Sequence, residues 1–556
     1  MRSLSKLLAL VFALSGVFVS TAAVAQTAGG RVVLVLPFDN RSGDPSLNWI
    51  GDSFPDTLNK RLNSAGFLTI SHDDRVYAYD HLGLPTDLQP SRATTIRIAQ
   101  QLDANFIIIG SYTVQTNPAA KPPTDDKPDT DAHTTSVAAG SRINIQARVL
   151  SLDDLTLTSP VEDSAEINRL FDAENAIAWK VARVADPHFN VAEPTFLAAP
   201  GAVPLPAFED YIRGIDTQNP AERVKRLQNA VALVPNYSAA LLALGKEQYA
   251  LHDYPAASIT LTKFQPSDRL ALEAGFYLGL SRFNNANYPG AAQAFDFVAS
   301  KLPLPEVINN QAVALSRQGK DAVALFQRAS AADPSDSDYH YNLAVAEFRA
   351  GDTANAQKEA AEAVKLKPSD TEAATLQKQL ASVPPGTRLS ADPSSGFTAV
   401  ERIRRTYSEA SFRQAAFQLD QVRAARLATL PPADRAAQYN QLGREYFGQG
   451  LLPEAEAQFQ SAIAADPHSA DAHAGLAQIR DVSGDATQAR NEANISIKLK
   501  PSATAYLVLA RLDLAANQLL NCAEDVTHAQ QLEPKNSAAA AMRTTLQARG
   551  QSVPAP

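Results

Sequence analysis

The chain has 556 residues, of which 45% are hydrophobic, 20% charged and 7% aromatic, the balance of a globular protein and not of a fibrous or disordered one. Fifty Lys and Arg against 59 Asp and Glu leave a net charge of −9, which argues against nucleic acid as the main ligand because a phosphate backbone needs a basic footprint. A single cysteine, Cys522, excludes an intrachain disulfide and any multi-thiolate metal site.

Residues 1–25 have the form of a signal peptide. Arg2 and Lys6 precede an apolar run from Leu7 to Val19, and Ala23-Val24-Ala25 is a small-residue cleavage site before Gln26. The run is short for a membrane span, which needs about 18 to 20 apolar residues. A periplasmic or secreted chain beginning near Gln26 is expected, with no transmembrane segment and a charge of −11 after Arg2 and Lys6 are removed.

From residue 26 to 186 the pattern is mixed. Val32 to Leu36 is a continuous apolar run closed by Pro37, as in a strand buried on both faces. Asp39 to Pro45 is turn chemistry. Ile50, Phe54, Leu58 and Leu62 predict a helix from Asn48 to Ser64. Phe67 to Ser71 reads as a strand, Ser91 to Leu102 as a helix, Phe106 to Ile109 as a buried strand, Ile143 to Val149 as a strand with one wet face, and Glu166 to Val184 as a helix. The sum is an α/β domain of the α+β sandwich type. Residues 118–140, rich in Pro, Asp, Thr and Ala, are expected to be a disordered surface loop.

Leu34-Val35-Leu36-Pro37-Phe38-Asp39-Asn40-Arg41-Ser42-Gly43-Asp44-Pro45, with Gly51-Asp52, Ile98 to Leu102 and Ile109-Gly110-Ser111-Tyr112, resembles the amino-terminal domain of the periplasmic Tol-system propeller protein. It is also similar to domains that precede helical-repeat arrays in bacterial regulators. The resemblance implies a non-catalytic envelope domain that serves assembly or protein contact. Gly43 sits where phosphate loops occur, yet G-x-G-x-x-G and G-K-[ST] are absent, so a turn is favoured. Asp125, Asp126, Asp129 and Asp131 lack the central Gly and terminal Glu of a calcium loop.

Residues 187–205, rich in Pro and Ala, read as a linker. Beyond them 34 residues separate Pro334 from Pro368 and Pro467 from Pro501, and 33 separate Pro501 from Pro534. Leu442, Gly443, Tyr446, Gly450, Ala455, Phe459 and Ala462 precede Pro467 in the register of a tetratricopeptide repeat. Gly245, Gly279 and Asn310 open more eroded units. The resemblance implies an all-α superhelix in which each helical hairpin covers its neighbour's apolar face. Pro384, Pro385, Gly386, Pro393 and Gly396 suggest two blocks, 206–382 and 398–550, joined by a linker at 383–397 and followed by a tail at 551–556. In the second block Val400, Ile403, Phe412, Ala415 and Leu419 are expected to open a helical pair.

The family lines its concave groove with side chains from the first helix of each repeat. Carried over, this assigns Lys246, Tyr249, Phe276, Leu280, Phe283, Tyr341, Phe348, Asn440, Arg444, Phe447, Gln478 and Arg511 to a partner-binding surface, with aromatics as anchors and Arg444, Arg511 and Asn440 as specificity elements. The same rings could instead thicken the core between helices. The family's clamp for a terminal carboxylate is not reproduced. No H-E-x-x-H, G-x-S-x-G or Cys–His pair is present, His473 reads as a packing ring, and Cys522 sits at a small-residue position between helices. No cofactor, metal or catalytic residue is assigned. The expected function is a non-enzymatic scaffold of the bacterial envelope that binds a protein or peptide. The alternative is a sensor whose α/β domain binds a small ligand.

Overall fold

The computed structural model describes residues 31–85, 90–115, 140–198, 203–384, 387, 399–405 and 422–554. The signal-like segment 1–25 and nearly all of the 118–140 insertion lie outside the described residues.

Six strands form one mixed sheet: β1 (Val32–Val35), β2 (Asp39–Asn40), β3 (Leu68–Thr69), β4 (Phe106–Gln115), β5 (Arg142–Ser151) and β6 (Val161–Glu166), in the order β3-β1-β4-β5-β6, with β2 also on β4. β1 runs parallel to β3 and β4, whereas β4, β5 and β6 are antiparallel. The apolar run of β1 is buried on both faces. Val33 and Val35 join one cluster with Ile50, Phe54, Leu58 and Ile177, while Leu34 and Leu36 join another with Ala78, Tyr79, Ile98 and Ala99. Helices Trp49–Ser64 and Leu170–Ala185 therefore cover one face, and helices His72–His81 and Arg92–Gln101 the other. The helix at His72 had no apolar stripe to announce it; the Ser71 hydroxyl caps it by accepting from the amide of Asp74. β4 is longer than expected because its distal half pairs with β5 through Gln115 and Arg142.

Phe38, Gly51, Gly110 and Tyr112 form a packing knot. Phe38 stacks on Phe54 at 4.0 Å between ring centres. A β-carbon on Gly110 would lie 2.3 Å from the Phe38 ring, and one on Gly51 2.4 Å from the Phe38 carbonyl oxygen, so both glycines are demanded by close approach. Tyr112 donates its hydroxyl to the Leu47 carbonyl at 2.8 Å.

From Leu205 to Ala381, and again from Pro432 to Ala548, consecutive helices pack pairwise. Small residues permit the contact: a β-carbon at Gly443 would meet the Phe459 ring at 2.7 Å and one at Gly475 at 2.4 Å. Gly351, Gly450 and Gly484 turn between helices with φ of 91°, 75° and 81°, as their turn position requires. Cys522 is buried, and burial pushes its thiol up to about 11, which leaves it protonated at neutral pH.

Two boundaries differ from expectation. The stretch 187–205 contains the helix Glu193–Leu197, whose Phe196 is wholly buried in the core of the sheet domain. Residues 399–405, with Val400 and Ile403, are not helical and lie against the first block, while Phe412, Ala415 and Leu419 fall outside the described residues. The Pro and Gly residues before them had marked a break but not where the chain goes next.

Candidate functional site

Helices Pro305–Ser316 and Ser337–Ala350 carry Asn309, Asn310 and Asn342, all with zero exposure, among apolar neighbours such as Val307, Ile308, Val313 and Val345. A buried side-chain amide without a partner costs about 1–3 kcal/mol. Here the partner is the main chain of residues 402 and 404. The Asn342 amide donates to the Arg402 carbonyl at 2.8 Å and accepts from the Arg402 N–H at 2.6 Å. Asn310 does the same for residue 404, at 2.8 and 2.7 Å. Asn309 adds a bond to the Arg402 carbonyl at 3.0 Å and orients Asn342 by accepting from it at 2.7 Å. Two amides thus satisfy alternate residues of an extended chain, as a neighbouring strand would.

Side chains of this segment alternate between two sides, as extended geometry requires. Glu401 is fully buried and receives Arg317 at 2.8 Å, Arg349, and the Ser316 hydroxyl at 2.5 Å. Ile403 packs against two apolar clusters that include Leu280, Val307, Ala314, Val313 and Phe326. On the other side Arg402 meets Asp338 at 2.7 Å, Asp370 at 2.5 Å and Glu372 at 2.8 Å, with its guanidinium carbon 3.8 Å from the centre of the Tyr341 ring. Arg404 pairs with Asp336 and lies 3.3 Å from Asp338. The hydrogen bond from Arg402, aided by the Ala373 amide and opposed by partial burial, holds the Asp370 carboxyl down to about 2. Burial pulls the Arg402 guanidinium down, but its bonds to Asp370 and Asp338 outweigh that and raise it.

The residues expected to line a partner surface divide into several groups. Tyr341 stacks on Arg402, Phe348 belongs to the cluster that Ala399 packs on, and Phe283 borders the two clusters that hold Ile403. Phe276 and Leu280 are wholly buried, Phe276 against Phe295 at 5.9 Å, so they form core and present nothing to solvent. Lys246 is committed to the sheet domain. It binds Asp73 at 2.7 Å and Glu273 at 3.0 Å; burial lowers its pKa, but these two carboxylates outweigh that and raise it. Tyr249 packs on Tyr254 and Tyr277. Asn440 is buried and donates to Ser469 at 2.9 Å, which makes it an inter-helix tie instead of a specificity element. Arg444 is exposed, Phe447 and Gln478 are half-buried, and Arg511 pairs with Asp481. His473 is more polar than a packing ring, with its Nδ1 2.7 Å from Glu492.

The repeat register thus named Tyr341, Phe348 and Phe283, which border residues 399–405, and did not name the three asparagines or Glu401 as site residues. The signal was present: polar Asn309-Asn310 interrupts an apolar helical run, and Glu401-Arg402-Ile403-Arg404 follows a Pro/Gly-rich break.

A second concavity, of about 2850 Å³, lies between the sheet domain and the helical array and is lined by Asp52, His72, Arg75, Lys246 and Arg405 among others. Burial, with help from Asp216, raises the Asp52 carboxyl to about 7. Among the described residues no group of His, Cys, Asp and Glu could hold a metal ion, and no helix is long and apolar enough to cross a membrane.

A family model for the tetratricopeptide repeat matches residues 311–371 and 440–504. No curated protein gives a significant match. Solved structures that resemble the chain include YrrB, a TPR protein with an unusual peptide-binding site, at 15% identity, 31% of this chain, 91% of that one and a TM-score of 0.28. A tetratricopeptide repeat protein from Parabacteroides merdae matches at 12% identity, 55% of this chain, 97% of that one and 0.24. The C-terminal domain of LpoB from Salmonella enterica matches at 16% identity, 25% of this chain, 83% of that one and 0.18. Asn342, Arg317, Arg349 and Asp338 fall inside the first matched segment, and Asn309 and Asn310 just before it; this chain carries tetratricopeptide repeats.

Proposed function

We propose that the protein is a non-enzymatic peptide-binding scaffold of the bacterial envelope, whose first repeat block grips extended peptides by their main chain. Tetratricopeptide repeats in general serve protein–protein contact, and that much follows from the repeats themselves. The observation that carries the finer reading is the paired bonding of Asn310 and Asn342 to the N–H and C=O of residues 404 and 402. Such bonds hold a chain by its backbone, while separate pockets take the side chains, the division of labour found in strand-addition peptide sites. Assignment to the envelope is supported by the charged, apolar and A-x-A segments of residues 1–25 and by the likeness of residues 34–45 to a Tol-system domain. The sheet domain is the docking unit of the scaffold in this reading.

The test uses the full chain with Glu401 and Arg402 both changed to Ala, which loosens the resident segment. In an anisotropy titration it should bind a fluorescein-labelled peptide Ala-Val-Glu-Arg-Ile-Arg-Arg, and adding Asn310→Ala and Asn342→Ala should abolish binding. Binding that survives loss of both asparagines would overturn the main-chain grip. Mass spectrometry of the mature chain from an envelope fraction should give an N-terminus at Gln26.

A further inference from the structure

The protein's own residues 399–405 lie against the helices of the first block, and the side chains of Glu401 to Arg404 are each held by a distinct set of partners. Glu401, Arg402, Ile403 and Arg404 each enter a site of matching chemistry: two guanidiniums and a hydroxyl, a cage of three carboxylates with an aromatic wall, an apolar cleft, and Asp336 together with the Asp338 that also faces Arg402. Packing alone does not need this. A linker crossing a surface could be covered by apolar contact, without burying a carboxylate or three asparagine amides, both of which cost free energy when left unmatched. The sites are also ordered along one stretch of chain whose alternate residues are held by Asn342 and Asn310, so they discriminate sequence and direction.

Resting on the peptide-binding reading above, we propose that residues 401–404 are an internal copy of the ligand. The partner is a protein segment that presents, in extended form, an acidic residue followed by Arg, an aliphatic residue and Arg. It enters by displacing Glu401–Arg404 from the groove.

Three features support this occupant over a generic peptide. The Glu401 carboxylate has zero exposure and two cations, so a neutral or basic side chain there takes away the charge partner that Arg317 and Arg349 share. The facing side gathers Asp336, Asp338, Asp370 and Glu372 within reach of two arginines, so a peptide with acidic residues at those places is repelled. The cleft between them accepts one branched aliphatic chain, flanked by Phe283 and Leu315. Displacement sets a threshold. A tethered segment competes at an effective concentration on the order of millimolar, so a partner succeeds only when it adds contacts beyond the tetrad or is itself locally concentrated.

The experiment compares two full-length proteins and two probes. The loosened chain (E401A with R402A) should bind the labelled Ala-Val-Glu-Arg-Ile-Arg-Arg peptide at least about 10-fold more tightly than the unaltered chain does, in line with removal of an intramolecular competitor. A scrambled peptide, Arg-Ile-Val-Arg-Ala-Arg-Glu, should bind the loosened chain at least about 10-fold more weakly than the ordered one, roughly the effect of one mismatched buried charge. Equal binding of both probes would leave the scaffold reading standing and overturn the sequence class. Binding of neither, by a chain with unchanged helical circular dichroism, would overturn both. Should the loosened chain fail to fold, hydrogen exchange on the unaltered protein decides. Saturating ordered peptide should speed exchange of residues 399–405, the scrambled one should not, and unchanged exchange would overturn displacement.

Discussion

The two repeat blocks share a period and a helical hairpin, yet they have been put to different uses. In the first block the buried inner position carries Asn342. Counted back in the same way from Pro467, Pro501 and Pro534, that position is Gln441, Gly475 and Val508 in the second. Gln441 is exposed, Gly475 makes room for the Phe459 ring, and Val508 is buried among aliphatic neighbours. At this position the second block therefore offers no buried amide, and its buried Asn440 is spent on Ser469. Its polar investment lies elsewhere. Glu456, fully buried, accepts from Arg480 at 2.7 and 3.0 Å and from the Ala192 amide at 3.0 Å, and Arg480 also reaches Thr195. One block holds an extended chain, and the other is bolted to the helix Glu193–Leu197. The repeat supplies a stackable hairpin, and a few buried polar side chains decide what each stack attaches to.

That contrast can be broken most severely at Arg480. Arg480→Ala leaves the Glu456 carboxylate buried and unpaired, which should cost about 3–5 kcal/mol. It should detach the second block from helix Glu193–Leu197, read as faster hydrogen exchange at 192–197 with the first-block helices unchanged. Next comes Asn342→Ala, which deletes two of the three asparagine bonds to residue 402 and should cost about 2–4 kcal/mol of segment docking. Trypsin should then cut after Arg402 and Arg404 far faster than in the parent. Gln441→Ala, its positional counterpart in the second block, should change stability by no more than about 0.5 kcal/mol; a large effect there would erase the distinction between the blocks.

Acidity separates the regions further. Asp370 is held near 2 by Arg402, below the ordinary 3.8, so its contribution is complete above that ordinary value and is lost as pH falls towards 2. Tryptic cleavage at Arg402 cannot be followed in that range, but hydrogen exchange of 399–405 can, and it should accelerate there before the second block loosens. Glu174 behaves oppositely. Full burial raises it from 4.5 to about 7, against the hydrogen bond from Ser53. Its proton is retained in the folded state and released on unfolding, so the sheet domain should lose stability as pH rises from about 4.5 to 7 and level off above. Glu174→Gln should flatten that part of the melting profile.

Much of this architecture is legible in the amino-acid sequence. The β1 run, the four-residue spacing of Ile50 to Leu62 and the proline period each reflect burial demands that repeat locally, and each element formed as that demand implies. The candidate site was legible only in part, because its logic is long-range. Nothing near Asn342 in sequence says that its amide will meet residue 402, and nothing near Ile403 distinguishes a helix-facing aliphatic from one seated in a distant cleft. Phe276 failed for a related reason: an aromatic at an inner-helix position satisfies core and groove equally until the neighbour, here Phe295, is in place.

One cluster of buried side chains runs without interruption from Val33 and Trp49 of the sheet domain through Phe196 to Phe208, Tyr211, Ile212 and Leu244 of the first repeats, with Tyr211 bonded to Asp56 at 2.8 Å. The apparent seam near residue 186 is thus no seam for folding. Cutting there would expose aromatic surface on both fragments, and neither should survive as a well-ordered piece. Whatever pulls on the sheet is passed through this shared cluster to the foot of the helical array.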